Sequence, residues 1–141
     1  MNMSAILKRS AINRHGRDGH VETTDKRLHH ELSTPVEMTG KKTDNTNSFE
    51  LVAVAYSACF GGALQRALEL KAVDYEDFSV EVESVVHKDE ELGGKRFSFN
   101  IHVQIDGVNE ELKQPLVDAA NKICPFSKAI DGNVETNLII L

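Results

Sequence analysis

The chain carries two cysteines, Cys59 and Cys124. A thiol can both attack an electrophile and change oxidation state, so these residues come first. It reacts as the thiolate, and burial among apolar side chains holds it protonated. On a helix Cys59 shares its face with Val52, Ala55, Tyr56 and Ala63, none of them charged. Any activating cation must therefore come from elsewhere in the fold. Arg17, within the glycine-rich stretch His15-Gly16-Arg17-Asp18-Gly19, is a candidate, because a turn can project a guanidinium without serving a strand face. The competing reading of Cys59 is an ordinary buried small hydrophobe. Cys124 precedes Pro125, which biases it away from helical geometry. It falls at the C-terminal, negative end of a helix, a setting that favours a neutral thiol. If a cation reaches Cys59, it is the better attacking residue, and Cys124 is the better partner to condense with its sulfenic acid. The two stand too far apart in sequence for a C-x-x-C motif. Only the fold can bring them to the roughly 5.5–6 Å between Cα atoms that a disulfide prefers.

The elements that must position these residues are legible in outline. Moderate alternation from Ser4 to Met38 is broken by the His15–Gly19 turn, and a strand passes through Leu28, His30 and Leu32 until Pro35 ends it. Residues 39–47 (TGKKTDNTN) form a polar loop. From Ser48 the chain is apolar on nearly every side through Phe60, with Asn47 or Ser48 as cap, which predicts a buried helix that turns amphipathic after Gly61-Gly62 and ends near Lys71. Two strands follow, 78–86 and 95–105. The second alternates Phe97, Phe99, Ile101, Val103 and Ile105 against Ser98, Asn100, His102 and Gln104. A second helix begins near Asn109 or Pro115, with Leu112, Leu116, Ala120 and Ile123 on one face, and stops at Pro125. Val134, Thr136, Leu138 and Ile140 close the chain as a strand. This order lacks regular strand-helix alternation and reads as α+β. A helix so widely apolar needs more cover than one small sheet provides, and a second subunit is the simplest source.

The whole chain sets the limits. Its 141 residues, 40% hydrophobic, suit a single domain over residues 1–141. A formal charge of -6 argues against nucleic acid or an anionic membrane surface as partner. Lys8, Arg9, Arg14 and Arg17 are the basic stretch, and a solvated edge explains each but Arg17 at least as well as function does. The first ten residues lack an apolar signal core, and no apolar run approaches a bilayer's thickness, so a cytoplasmic protein without a membrane anchor is expected. Its cysteines are then more apt to be reduced, catalytic, sensing or buried than bridged. Six histidines raise the question of a metal. His29 and His30 are neighbours on a strand and point to opposite faces, and His15 and His20 flank the turn, so no metal site is expected. Tyr56 and Phe126 could line a substrate pocket, although aromatic core packing serves each equally well.

Several ordered blocks carry a resemblance: Gly16-Arg17-Asp18-Gly19, Ala55-Tyr56-Ser57-Ala58-Cys59-Phe60, Cys124-Pro125-Phe126-Ser127-Lys128-Ala129 and Gly132-Asn133-Val134. Along almost its whole length the sequence resembles the organic hydroperoxide resistance proteins, the Ohr branch of the OsmC superfamily. The resemblance implies an intertwined homodimer, antiparallel sheets wrapped around a long buried central helix, and an active site built from both chains. It implies that Cys59 attacks an organic, lipid-like hydroperoxide, that Cys124 forms the disulfide with it, and that Arg17 activates Cys59 and orients the peroxide. No cofactor is bound on this reading. The reductant is an external dithiol, a dihydrolipoyl group on a lipoylated protein. One departure stands out. The family carries a glutamate ten residues ahead of the reactive cysteine to pair with the arginine, whereas Phe49 stands there and Glu50 one place later. Glu50 serves only if the first turn is rewound or the motif has slipped; otherwise it is a favourable first-turn carboxylate. Phe49 also joins Tyr56 and Phe126 as a substrate-lining candidate. Two other readings remain, a thiol redox sensor and a binding member of the fold without catalysis.

Overall fold

In a computed structural model, which describes residues 3–141, the chain forms two compact units, residues 1–51 and 52–141. The boundary falls inside the predicted central helix. The N-terminal unit holds three strands, β1 (Ala11–Arg14), β2 (His20–Thr23) and β3 (His29–Glu31), in an antiparallel sheet of order β1-β2-β3. The predicted turn is a single 3-10 turn, Gly16–Asp18. Asn13 builds it: its Nδ2 donates to the carbonyls of Gly16 and His20, each at 3.0 Å, and its Oδ1 accepts from Gly16 N at 3.1 Å. A Cβ on Gly19 would collide with the Arg14 carbonyl oxygen, so this glycine is required by close approach. A second reversal was not legible in the sequence. Asp25 Oδ1 accepts from Thr23 Oγ1 at 2.7 Å and from Arg27 N at 3.1 Å, while Lys26 takes a left-handed φ of 61°. That turn separates β2 from β3 within what reads as one alternating stretch. Past Pro35 a short helix, α1 (Val36–Thr39), precedes the predicted loop and ends on Gly40 at φ 72°.

The long helix α2 (Ser48–Leu70) forms as predicted. Its buried face is Tyr56, Phe60, Ala63, Leu64, Ala67 and Leu68, a helical spacing that seats one stripe against a sheet. Contrary to the sequence reading, α2 is long and apolar enough to span a bilayer by length and composition alone. Its buried stripe belongs instead to the core of the C-terminal unit. Ala72, at φ 50°, takes the left-handed position after the helix while Val73 N bonds Leu68 O at 3.1 Å, a C-terminal closure usually given to glycine.

The second sheet has order β4-β5-β6, from β4 (Asp77–Lys88), β5 (Lys95–Asp106) and β6 (Thr136–Ile140). β4 and β5 pair antiparallel through a turn in which Asp89 Oδ1 accepts from Glu91 N and Leu92 N. β5 buries Phe99, Ile101, Val103 and Ile105 as its alternation predicts. β6 lies parallel to β5, so this sheet is mixed where antiparallel sheets were expected. The long crossover through α3 (Glu110–Ile123) and α4 (Pro125–Ile130) allows it. On α3, Leu116, Val117 and Ala120 face the core, whereas Leu112 is exposed. Pro125 ends α3, as predicted, but also opens α4 at a position where its missing N–H costs nothing.

Candidate active site

Cys59 lies at the middle of α2, half-buried, one turn beyond Tyr56 and packed against the core of the C-terminal unit. Cys124 is fully buried in that core, at the junction of α3 and α4. Its backbone is extended, as a residue before proline prefers. Its N–H donates to Ala120 O at 2.8 Å and its carbonyl accepts from Lys128 N at 3.0 Å, so it closes one helix and opens the next. Both thiols are free. Burial pushes the Cys59 thiol above its ordinary pKa, and the charge of Cys124 adds to the shift. Among the described residues no cation contributes to the shift of Cys59 or reverses its direction. The elementary reading of an apolar helix face holds here.

Aromatic side chains fill the same core as Cys124. Tyr56 and Phe126 stack with centroids 4.3 Å apart, and Phe99 meets both edge-on, at 5.1 and 6.1 Å. Tyr56 is fully buried, and its hydroxyl shares a 2.7 Å hydrogen bond with Ser127 Oγ. Burial holds the Tyr56 phenol protonated despite that bond. Tyr56 and Phe126 thus serve first as core, three residues before Cys59 and two after Cys124. Ser127 was not singled out from the sequence. Only its pairing with a residue on a distant helix gives it a role.

The remaining predicted residues belong to the N-terminal unit. Arg17 is exposed on the 3-10 turn, and no ion pair holds it among the described residues. The neighbouring Asp18 is committed elsewhere, accepting from Thr34 N and Thr34 Oγ1, both at 3.1 Å. Glu50 has a capping role. Asn47 Oδ1 accepts from Glu50 N at 3.0 Å, and Asn47 Nδ2 donates to Glu50 Oε1 at 2.9 Å, a variant of the reciprocal capping box. The first turn is not rewound. At about 100° per residue Glu50 points to the opposite side of α2 from Cys59, and Phe49 is about 80° away from it.

Two small sheets and a long central helix, with Cys124 buried in the core and Cys59 packed against it, define a small α+β protein with two free thiols. Residues 39–139 match the family described as OsmC-like protein, and the chain belongs to it. It is 34% identical to the organic hydroperoxide resistance protein OhrB of Bacillus subtilis, covering 95% of this chain and 97% of that one. An organic hydroperoxide resistance protein of Xanthomonas axonopodis pv. citri is 35% identical, with 89% and 87% covered. Among solved structures, an organic hydroperoxide resistance protein from Legionella pneumophila superposes with a TM-score of 0.91 at 34% identity, covering 97% of this chain and 98% of the other. The OhrB structure gives 0.87 at 33% identity, with 97% and 100% covered.

Proposed function

We propose that this protein is a cysteine-based peroxidase that reduces organic hydroperoxides in defence against oxidative stress. The observation that carries it is the pair of free thiols, Cys124 buried in an apolar core and Cys59 packed against it, in a chain whose full-length relatives are named for hydroperoxide resistance. The Cys59 thiolate attacks the distal peroxide oxygen; the O–O bond breaks, an S–O bond forms, and the alkoxide leaves as the alcohol after taking a proton. Cys59 is then a sulfenic acid. The Cys124 sulfur attacks it, forming the disulfide and releasing water. An external dithiol of the dihydrolipoyl class, carried on a lipoylated protein, restores both thiols by exchange.

The apolar walls favour a substrate with a hydrocarbon group over hydrogen peroxide. Arg17, supplied by a homodimer, is the cation that Cys59 requires. The apolar outer face of α2 supports that assembly: Val54 is 63% exposed, and Ala55 and Ala58 beside it are exposed too. A cytoplasmic location goes with this reading. Stopped-flow reaction with cumene hydroperoxide, followed by turnover with dihydrolipoamide, tests it. The expected result is a second-order rate far above that of a free thiol, with many turnovers. A rate no faster than a free thiol's overturns peroxidase function. A second reading, a thiol redox sensor, is favoured by Phe49 and by the raised pKa of Cys59, and predicts a single stoichiometric oxidation without turnover.

A further inference from the structure

The N-terminal sheet holds a cluster that the thiol chemistry does not use. His20 and Glu22 stand two residues apart on β2 and project from one face of the sheet. β3 runs antiparallel, pairing His29 with Glu22 and Glu31 with His20, which places all four side chains on that face. One ligand atom from each of His20, Glu22 and His29 lies within 4.8 Å of the others. His29 Nδ1 faces Glu22 Oε2 at 3.5 Å, while its Nε2 meets Glu31 Oε1 at 3.0 Å. The His20 ring stacks on the His29 ring with centroids 5.0 Å apart. Reasoning about neighbouring histidines missed this group, because its members meet across strands.

We propose that His20, Glu22 and His29 bind a divalent cation of the Zn2+ type, with Glu31 fixing the His29 ring from its far side. Around a tetrahedral zinc with ligand bonds of about 2.0–2.1 Å, ligand atoms stand roughly 3.3 Å apart, close to the Glu22–His29 spacing already present. His20 closes the remaining gap by a side-chain rotation. Two imidazoles and one carboxylate select zinc and its first-row neighbours over Ca2+ or Mg2+, which favour all-oxygen shells. Glu31 supplies the hydrogen bond to the non-ligating nitrogen that metal-binding histidines regularly have. The fourth position faces solvent and takes water.

Equilibrium dialysis of the full chain against Zn2+ tests this, with circular dichroism verifying the fold of each variant. The double variant His20→Ala/His29→Ala is expected to lose one Zn2+ per chain relative to the unmodified protein, whatever the cysteines bind. The near-isosteric Glu31→Gln should retain the fold and weaken that site about tenfold. His30→Ala, on the opposite face, should leave it unchanged. A double variant that binds as much Zn2+ as the unmodified chain overturns the site, as does Glu31→Gln with unaltered affinity.

Discussion

In the proposed peroxidase Cys59 is the nucleophile, and its own surroundings work against that role. Burial and the nearby Cys124 both raise its pKa, so the neutral thiol dominates at neutral pH and the thiolate appears only as pH climbs past the ordinary thiol range. In the proposed peroxidase, Arg17 of a partner subunit would have to reverse that sign. The midpoint of Cys59 alkylation by iodoacetamide against pH reads the balance, with Cys124 followed separately by mass spectrometry. We expect Arg17→Ala to move the Cys59 midpoint to higher pH by one unit or more; an unmoved midpoint removes Arg17 from the activation. The sequence blocks single out both cysteines as the candidates for the chemistry. The capping role of Glu50 was open in the sequence as one of two readings, and Asn47 supplies it by engaging the Glu50 carboxylate and backbone N–H together.

The elements divide by how local their causes are. α2 and β5 follow from side-chain periodicity, since each is long and buries one continuous stripe. α4 was missed because a proline that ends one helix can equally begin another, and only the packing of Phe126 and Ser127 against Tyr56 shows which. The reversal at Asp25-Lys26 was missed because it needs a left-handed lysine rather than a glycine. Asn47 is where one side chain determines an element's start. Asn47→Ala removes two hydrogen bonds at the entry to α2 and should lower stability by about 1 kcal/mol, measured by urea unfolding. Cys59, three turns into the helix, should keep its alkylation rate in the same variant.

At the scale of the whole molecule, the outer face of α2 is the main unfinished business of the single chain. An exposed valine changed to arginine on a monomer's surface alters stability by at most about 0.5 kcal/mol. At a subunit interface the same change buries an unpaired charge and breaks the assembly. Analytical ultracentrifugation should therefore find twice the 15.6 kDa chain mass for the unmodified protein. Val54→Arg should shift it to the single-chain mass and reduce peroxidase turnover with it. A dimer unaffected by Val54→Arg would place the interface on another face.

The sequence by itself determined the α+β class, the central helix, the alternating strand β5 and the two cysteines, because each is written in short-range periodicity or in a compact block of neighbours. Tertiary structure alone decided that β6 runs parallel to β5, that Cys124 is buried in the core while Cys59 packs against it, and that His20, Glu22 and His29 converge. These depend on strand register and helix rotation. Both are set by packing between segments distant in the chain, which no local pattern of residues encodes.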